Sequence, residues 1–366
     1  MKITSIETFA QRVVTLVRVR AEDGMEGWGQ TAPYNADITA IVLHRQVAPH
    51  ALGRDEADTE NLCQDVIERE YKYPGSYVCR ALAGVETAMW DLRAKREGKP
   101  VYQLLGAAPN QPPVPAYGSS MRRDITPAAE GERLKRLRDE VGYRAFKVRV
   151  GRECGHDSDA WPGRTEELIP TVRRAVGDDV TLLADGNSCY TPSKAIQVGR
   201  LMEQHGYGHF EEPCPYWELE WTAEVAAALS VPVAGGEQDT DLAQFARMVR
   251  MDAVDIVQPD VCYIGGVTRA REVANMAARC GKPCTPHSAN ISMVTVFTMH
   301  LLAAIPNPGP FMEFSIEPTP WAEELFEPVL RASNGSVPFP ADGPGWGVRI
   351  RPEWLDAAER HESVLN

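Results

Sequence analysis

Three short apolar runs between residues 181 and 237 each end on an acid: Thr181-Leu-Leu-Ala-Asp185, His209-Phe-Glu211 and Val231-Pro-Val-Ala-Gly-Gly-Glu237. Successive acids stand 26 residues apart. A strand, its helix and two loops occupy about that length, so the spacing predicts consecutive βα units with an acid at each strand's carboxyl end. Neighbouring parallel strands would bring Asp185, Glu211 and Glu237 to one point. Three carboxylates there cannot all stay ionised without a cation between them. An all-oxygen donor set suits a hard ion, and Mg²⁺ is the expected cofactor. The competing reading, three unrelated loop acids or helix caps, leaves the shared register unexplained.

Outward from this stretch the same texture continues. Strands are expected near 114–119, 145–150, 180–185, 207–211, 231–235, 254–258, 283–286 and 311–314. Amphipathic helices such as 127–140, 192–205 and 266–279 lie between them. Eight strands in βα alternation argue for a (β/α) barrel rather than an open sheet. Upstream, residues 1–30 read as a β-meander with a turn at Asp23-Gly24. Residues 36–69 and 80–97 read as helical, with Ala83, Val85, Ala88, Met89 and Leu92 on one apolar stripe. Proline-rich 107–117 reads as a linker. The last segment, with Asp342-Gly-Pro-Gly-Trp-Gly347, has no βα rhythm and is expected to return to the first domain. The expected division is an α+β capping domain at 1–112, a barrel at 113–330 and a returning segment at 331–366.

The chain's 366 residues suffice for a barrel and a cap. A net charge of −13 argues against nucleic acid as a partner. A small acidic substrate stays compatible, because a bound dication inverts the local field. The eight Cys form no C-x-x-C pair, which fits reduced thiols and a cytoplasmic location. Met1-Lys-Ile-Thr-Ser5 opens a strand rather than a signal peptide, and no apolar run approaches the roughly 18 residues of a membrane span.

Functional side chains of a barrel sit at the carboxyl ends of its strands. Lys147 and Arg149 share one face of the second strand and are expected to hold an anionic substrate. Arg149 should lower the Lys147 pKa and make Lys147 a better base; its own guanidinium stays protonated. Asn187 shares a face with Asp185 and is a candidate substrate contact, although Asp-Gly-Asn is also a good turn. Glu212 faces away from Glu211 and is expected to support the metal ligands rather than join them. Asp260 and His287 end the sixth and seventh strands, where the carboxylate would fix the imidazole tautomer and raise its basicity. Glu313 lies inside an apolar run; burial should raise its pKa and let it donate a proton or hydrogen bond. The long polar segment 151–163 offers His156 and Trp161 as substrate contacts, and Tyr34 is a further one. Only Ala10-Gln-Arg12 separates the first two strands, so any lid there is short.

In order along nearly the whole chain, these residues resemble the enolase superfamily, and within it the mandelate racemase subgroup. The likeness runs through Ala83-Gly-Val-Glu86, Ala88-Met-Trp-Asp-Leu92, Pro100-Val-Tyr-Gln-Leu-Leu-Gly106, Lys147-x-Arg149, Asp185-x-Asn187, Glu211-Glu-Pro213 and Gly236-Glu237. It continues through Asp260, Ile264-Gly-Gly-Val267, His287, Glu313 and Pro344-Gly-Trp-Gly347. The resemblance implies a modified TIM barrel, (β/α)7β, with an N-terminal α+β cap completed by the C-terminal segment, in a homo-oligomer. It implies Mg²⁺ on Asp185, Glu211 and Glu237, a His287–Asp260 dyad, Glu313 as hydrogen-bond donor to the substrate, and abstraction of the proton α to a carboxylate through an enediolate. One position departs: the racemase pattern has Lys-x-Lys, and here the second Lys is Arg149. This disfavours two-base racemisation. The expected reaction is dehydration of a hydroxy acid or acid sugar to a 2-keto-3-deoxy acid, with His287 as main acid/base and Lys147 assisting. A racemase, epimerase or cycloisomerase is the second reading, and a non-catalytic relative that binds metal is the third.

Overall fold

An antiparallel meander opens the chain: β1 (Ile3–Ala10), β2 (Thr15–Ala21) and β3 (Glu26–Gln30). The computed structural model describes residues 1–341 and 343–365; Asp342, which opens the 342–347 motif, lies outside them. Helix Ser76–Arg96 lies against β3 at a distance only glycine permits. A Cβ at Gly27 would meet the Ala88 carbonyl at 2.2 Å, and one at Gly29 the Gly84 carbonyl at 2.3 Å. The single apolar stripe expected for this helix is too narrow a description. It is buried from Ala81 through Leu92 on every face, because the cap sheet lies on one side and the barrel on the other.

The barrel staves are β4 (Val114–Ser119), β5 (Ala145–Arg149), β6 (Thr181–Asp185), β7 (Tyr207–Glu211), β8 (Val233–Gly235), β9 (Ile256–Val257) and β10 (Met312–Ser315). They form one parallel ladder in the order β10-β4-β5-β6-β7-β8-β9. The strand expected at 283–286 is a stave without a ladder. Isolated bridges Val257↔Cys284 and Cys284↔Pro308 close the ring there. Pro283 and Pro286 remove two N–H donors from that stave, which explains its sparse pairing. Each of the first seven staves leads to a helix; the last, Met293–Leu302, follows the bridged stave and β10 ends the series. This is the (β/α)7β order. β4 has the expected bounds, Val114–Ser119, so the linker read at 107–117 ends where this strand begins.

The chain end divides its contacts. β11 (Phe326–Glu327) pairs with β13 (Arg349–Ile350), and β12 (Ser336–Val337) pairs with the start of β4. β14 (Glu359–Val364) adds to the cap sheet along β1. Two buried groups fasten cap to barrel. The Glu86 carboxylate accepts from Val267 N at 2.9 Å, Thr268 N at 2.8 Å and Trp90 Nε1 at 2.8 Å, so a cap acid caps the barrel helix Val267–Arg279. Trp346 donates from N to Asp91 Oδ1 and from Nε1 to the Thr87 carbonyl, and its ring meets Phe297 at 4.5 Å. Among the described residues, no helix is long and apolar enough to cross a membrane.

Candidate active site

Asp185 and Glu211 end adjacent strands in direct register, and Glu237 follows β8 after Gly236, whose φ of 114° turns the chain. One carboxylate oxygen from each lies within 4.8 Å of the others, and all three residues are buried. Glu211 Oε1 takes a 2.5 Å bond from Lys147 Nζ, and its Oε2 accepts from Gln258 Nε2 at 2.8 Å. Asp185 pairs with Arg149 and accepts from the Asn187 backbone N at 2.7 Å. No Lys or Arg among the described residues pairs with Glu237. Burial raises its pKa, with His287 acting against that. A buried carboxylate without a Lys or Arg partner, beside two others at ligand spacing, is a donor set that suits a hard dication, so the residues fit Mg²⁺.

His287 Nδ1 lies 2.7 Å from Asp260 Oδ2, and the two residues form a parallel bridge between neighbouring staves. Its Nε2 points toward the trio, 3.5 Å from Glu237 Oε2. Burial alone would lower the imidazole pKa; Glu237, then Asp260 and Glu313, outweigh it and push it up to about 10.

Two expected pKa directions are reversed. Burial works to lower the Lys147 pKa, but the Glu211 and Glu313 carboxylates overcome both burial and Arg149, so it rises. Glu313 Oε1 lies 2.9 Å from Lys147 Nζ. Burial works to raise the Glu313 pKa, but Lys147 and His287 pull it down to about 2. Ser119 Oγ at 2.7 Å and Ser288 N at 2.9 Å also donate to it. In this arrangement Glu313 accepts from Lys147, Ser119 and Ser288, and its pKa moves opposite to the expected direction. Glu212 is buried with Oε1 unpartnered, its pKa raised well above the carboxylate range by burial and by Glu237 and Glu211.

Among the candidate substrate contacts, Asn187 touches the trio. Its Nδ2 donates to Asp185 Oδ2 at 3.3 Å. Tyr34 is 63% exposed and no hydrogen bond holds its ring. His156 is exposed, because its loop is fastened to the loop after β6 by Cys154 N to the Asn187 carbonyl and Asp157 N to the Cys189 carbonyl. Trp161 lies under the Arg164 guanidinium at 5.3 Å. Sequence reasoning missed Ser119, Gln258, Arg123 and the pair Tyr263–Arg80. The Tyr263 ring lies 5.7 Å from that of His287, and Arg80 from the cap helix stacks on Tyr263 at 3.5 Å. Gln258 was within reach, since it precedes Asp260 by two on the same strand end.

Two family models match the chain: "Mandelate racemase / muconate lactonizing enzyme, N-terminal domain" over residues 2–106 and "Enolase C-terminal domain-like" over residues 129–354. The chain is 30% identical over 348 residues to the arabinonate dehydratase of Saccharolobus solfataricus, covering 92% of this chain and 88% of that one. It is 30% identical over 358 residues to the D-galactarolactone cycloisomerase of Agrobacterium fabrum, covering 95% and 91%. A crystal structure from Roseobacter denitrificans, provisionally named a racemase, superposes with a TM-score of 0.97 at 56% identity over the full length of both chains.

Proposed function

Because the chain belongs to the mandelate racemase/muconate lactonizing enzyme family of the enolase superfamily, we propose that it dehydrates a hydroxy acid or acid sugar to a 2-keto-3-deoxy acid. The substrate loses its α-proton and its β-hydroxyl, which leave together as water, and the resulting enol becomes the ketone. Mg²⁺ held by Asp185, Glu211 and Glu237 would draw electron density from the substrate carboxylate and so acidify the α-carbon. His287 Nε2 takes the α-proton, while Asp260 holds the other nitrogen and stabilises the imidazolium that forms. The same imidazolium then protonates the departing hydroxyl. Lys147 stays charged between Glu211 and Glu313 and sets a positive charge beside the carboxylate as it gains electron density.

The observation that carries the proposal is the placement of His287, 2.7 Å from Asp260 on one nitrogen and 3.5 Å from Glu237 on the other. One imidazole thus spans from its orienting acid to the metal-ligand trio. Arg149 in place of a second lysine supports a single base, and with it dehydration over racemisation.

The test is a panel of mono- and diacid sugars given Mg²⁺ in D₂O, read for 2-keto-3-deoxy product and for deuterium at the α-carbon. Product with exchange is expected for at least one acid. Exchange without keto product would favour an epimerase or cycloisomerase, a reading supported by the cycloisomerase among the relatives. Metal binding with neither product nor exchange across the panel would overturn the proposal.

A further inference from the structure

We propose that the substrate is a diacid and that Arg123 holds its second carboxylate at the barrel mouth. The inference rests on the reading above for the first carboxylate, at the trio. Arg123 belongs to the turn after β4, Ser119-Ser-Met-Arg-Arg-Asp124. Its Nε donates to the Gly151 carbonyl at 3.0 Å and its Nη2 to Asn187 Oδ1 at 2.7 Å. The same Oδ1 accepts from Arg149 Nη1 at 3.1 Å, so two guanidinium groups converge on one neutral amide. Arg149 has Asp185 as its counter-ion. Arg123 has none: no carboxylate of the described residues pairs with it, and its Nη1 has no hydrogen-bond partner among them.

Neighbouring charge does not compensate it. Arg122 is occupied by Asp124, and Arg164 reaches in to the Arg149 carbonyl at 2.9 Å and the Arg122 carbonyl at 3.1 Å, adding a third cation. Burial and then Arg149 push the Arg123 pKa down to about 10, with Glu153 offsetting part of this without pairing. A half-buried guanidinium fixed by two neutral acceptors, repelled by its neighbours and keeping one nitrogen free, is a preformed position for an anion.

Asn187 links the two positions, touching Asp185 at 3.3 Å and Arg123 at 2.7 Å from opposite ends of its amide. The five C–C bonds of a six-carbon diacid, at about 1.5 Å each, span roughly 6 Å from end to end. A monoacid of that length would present a hydroxyl to Arg123 and leave its charge unmatched.

The test uses the full-length, Mg²⁺-loaded protein and two variants, Arg123→Gln and Arg123→Lys. Calorimetry with adipate and hexanoate, an unreactive diacid and monoacid of six carbons, reads the site without turnover. The wild type is expected to bind adipate about 10- to 100-fold more tightly than hexanoate, the range for one charge-assisted contact. Arg123→Gln should erase that preference, and Arg123→Lys should keep part of it. In turnover, kcat/KM for an aldarate should fall at least about tenfold more than for the aldonate of the same configuration, mainly through KM. Equal losses on both acids, or a preference that survives Arg123→Gln, overturn the inference. An Arg123-dependent adipate preference in a protein inactive on every acid would support the carboxylate site and sink the dehydratase reading instead.

Discussion

Replacing Asp260 with Asn removes one charge and little else. Asp260 Oδ1 accepts from Cys262 N at 2.7 Å and Tyr263 N at 3.0 Å, and an asparagine oxygen can keep both bonds. The amide nitrogen then replaces Oδ2, 2.7 Å from His287 Nδ1. A donor there forces Nδ1 to accept, which leaves the imidazole proton on Nε2, the atom that must receive the substrate's proton. The charge matters separately. An imidazolium and a carboxylate with centres about 4 Å apart attract by about 4 kcal/mol at an effective dielectric of 20. At about 1.4 kcal/mol per factor of ten, kcat should fall roughly 1,000-fold.

The assay is α-proton exchange in D₂O at saturating Mg²⁺, with a separate titration of Mg²⁺ affinity. Asp260 touches none of the trio, so the affinity should stay within about twofold while kcat collapses. A base must be deprotonated to act, so activity rises with pH through the His287 pKa. Asp260 helps hold that pKa up, and its loss should move the rising limb to lower pH. A variant retaining kcat within about tenfold of wild type, with the limb unmoved, would refute the assignment of His287 as base and return the role to Lys147.

Glu237→Gln should weaken Mg²⁺ binding by more than about 100-fold, beyond what changes to residues behind a metal ligand cost, and isothermal titration checks it. Unchanged affinity would dissolve the trio as a metal site. Glu86→Ala leaves the backbone donors of Val267 and Thr268 without an acceptor and Trp90 Nε1 with only Thr268 Oγ1 at 3.2 Å; a loss of about 3 kcal/mol or more in urea unfolding is expected, and a loss under 1 kcal/mol would mean the clamp between cap and barrel is slack. His44 bonds Thr8 Oγ1 at 2.9 Å and Ser363 Oγ at 2.8 Å, and burial, aided by His361, lowers its pKa to about 4. The unfolded chain, near 6.5, takes up the proton first as pH falls, so the stability His44 contributes is whole above 6.5 and is lost between 6.5 and 4. At about 1.4 kcal/mol per pH unit the loss is at most about 3.5 kcal/mol. His44→Gln should therefore show a smaller drop in Tm between pH 7 and pH 5 than the wild type.

The barrel and its acids were legible because the signals are local: an apolar run, an acid at its end, and a repeat of fixed length. What was not legible depends on which distant staves meet. Sequence places Arg149 two residues from Lys147 and suggests a lowered pKa. Only ring closure, with β10 beside β4, brings Glu313 within 2.9 Å and reverses the sign. Glu313 itself looked like a buried acid raised by its apolar neighbours, and the same closure gives it a cation and two donors. Loop residues are hidden for another reason: Arg123 reaches from the loop after β4 to those after β5 and β6, a direction that no periodicity fixes.

The charges of the assembled pocket set a condition on any function proposed for it. Asp185, Glu211, Glu237, Asp260 and Glu313 face two fixed cations, Lys147 and Arg149, and one titratable imidazole. Even with His287 protonated, five carboxylates exceed three cations by two charges in a region where all eight residues are less than a tenth exposed. Such an excess is tolerable only if protons or a dication enter. Protonation is a poor answer for Glu211 and Glu313, whose neighbours hold both pKa values low. It is available to Glu237, whose pKa burial raises, and Glu237 is also the carboxylate of the trio with no Lys or Arg partner among the described residues. Proton and metal therefore compete for that carboxylate. Binding of the dication should release a proton wherever Glu237 is protonated, and a Mg²⁺ affinity that stays flat as pH falls through the Glu237 pKa would contradict this arrangement of charges.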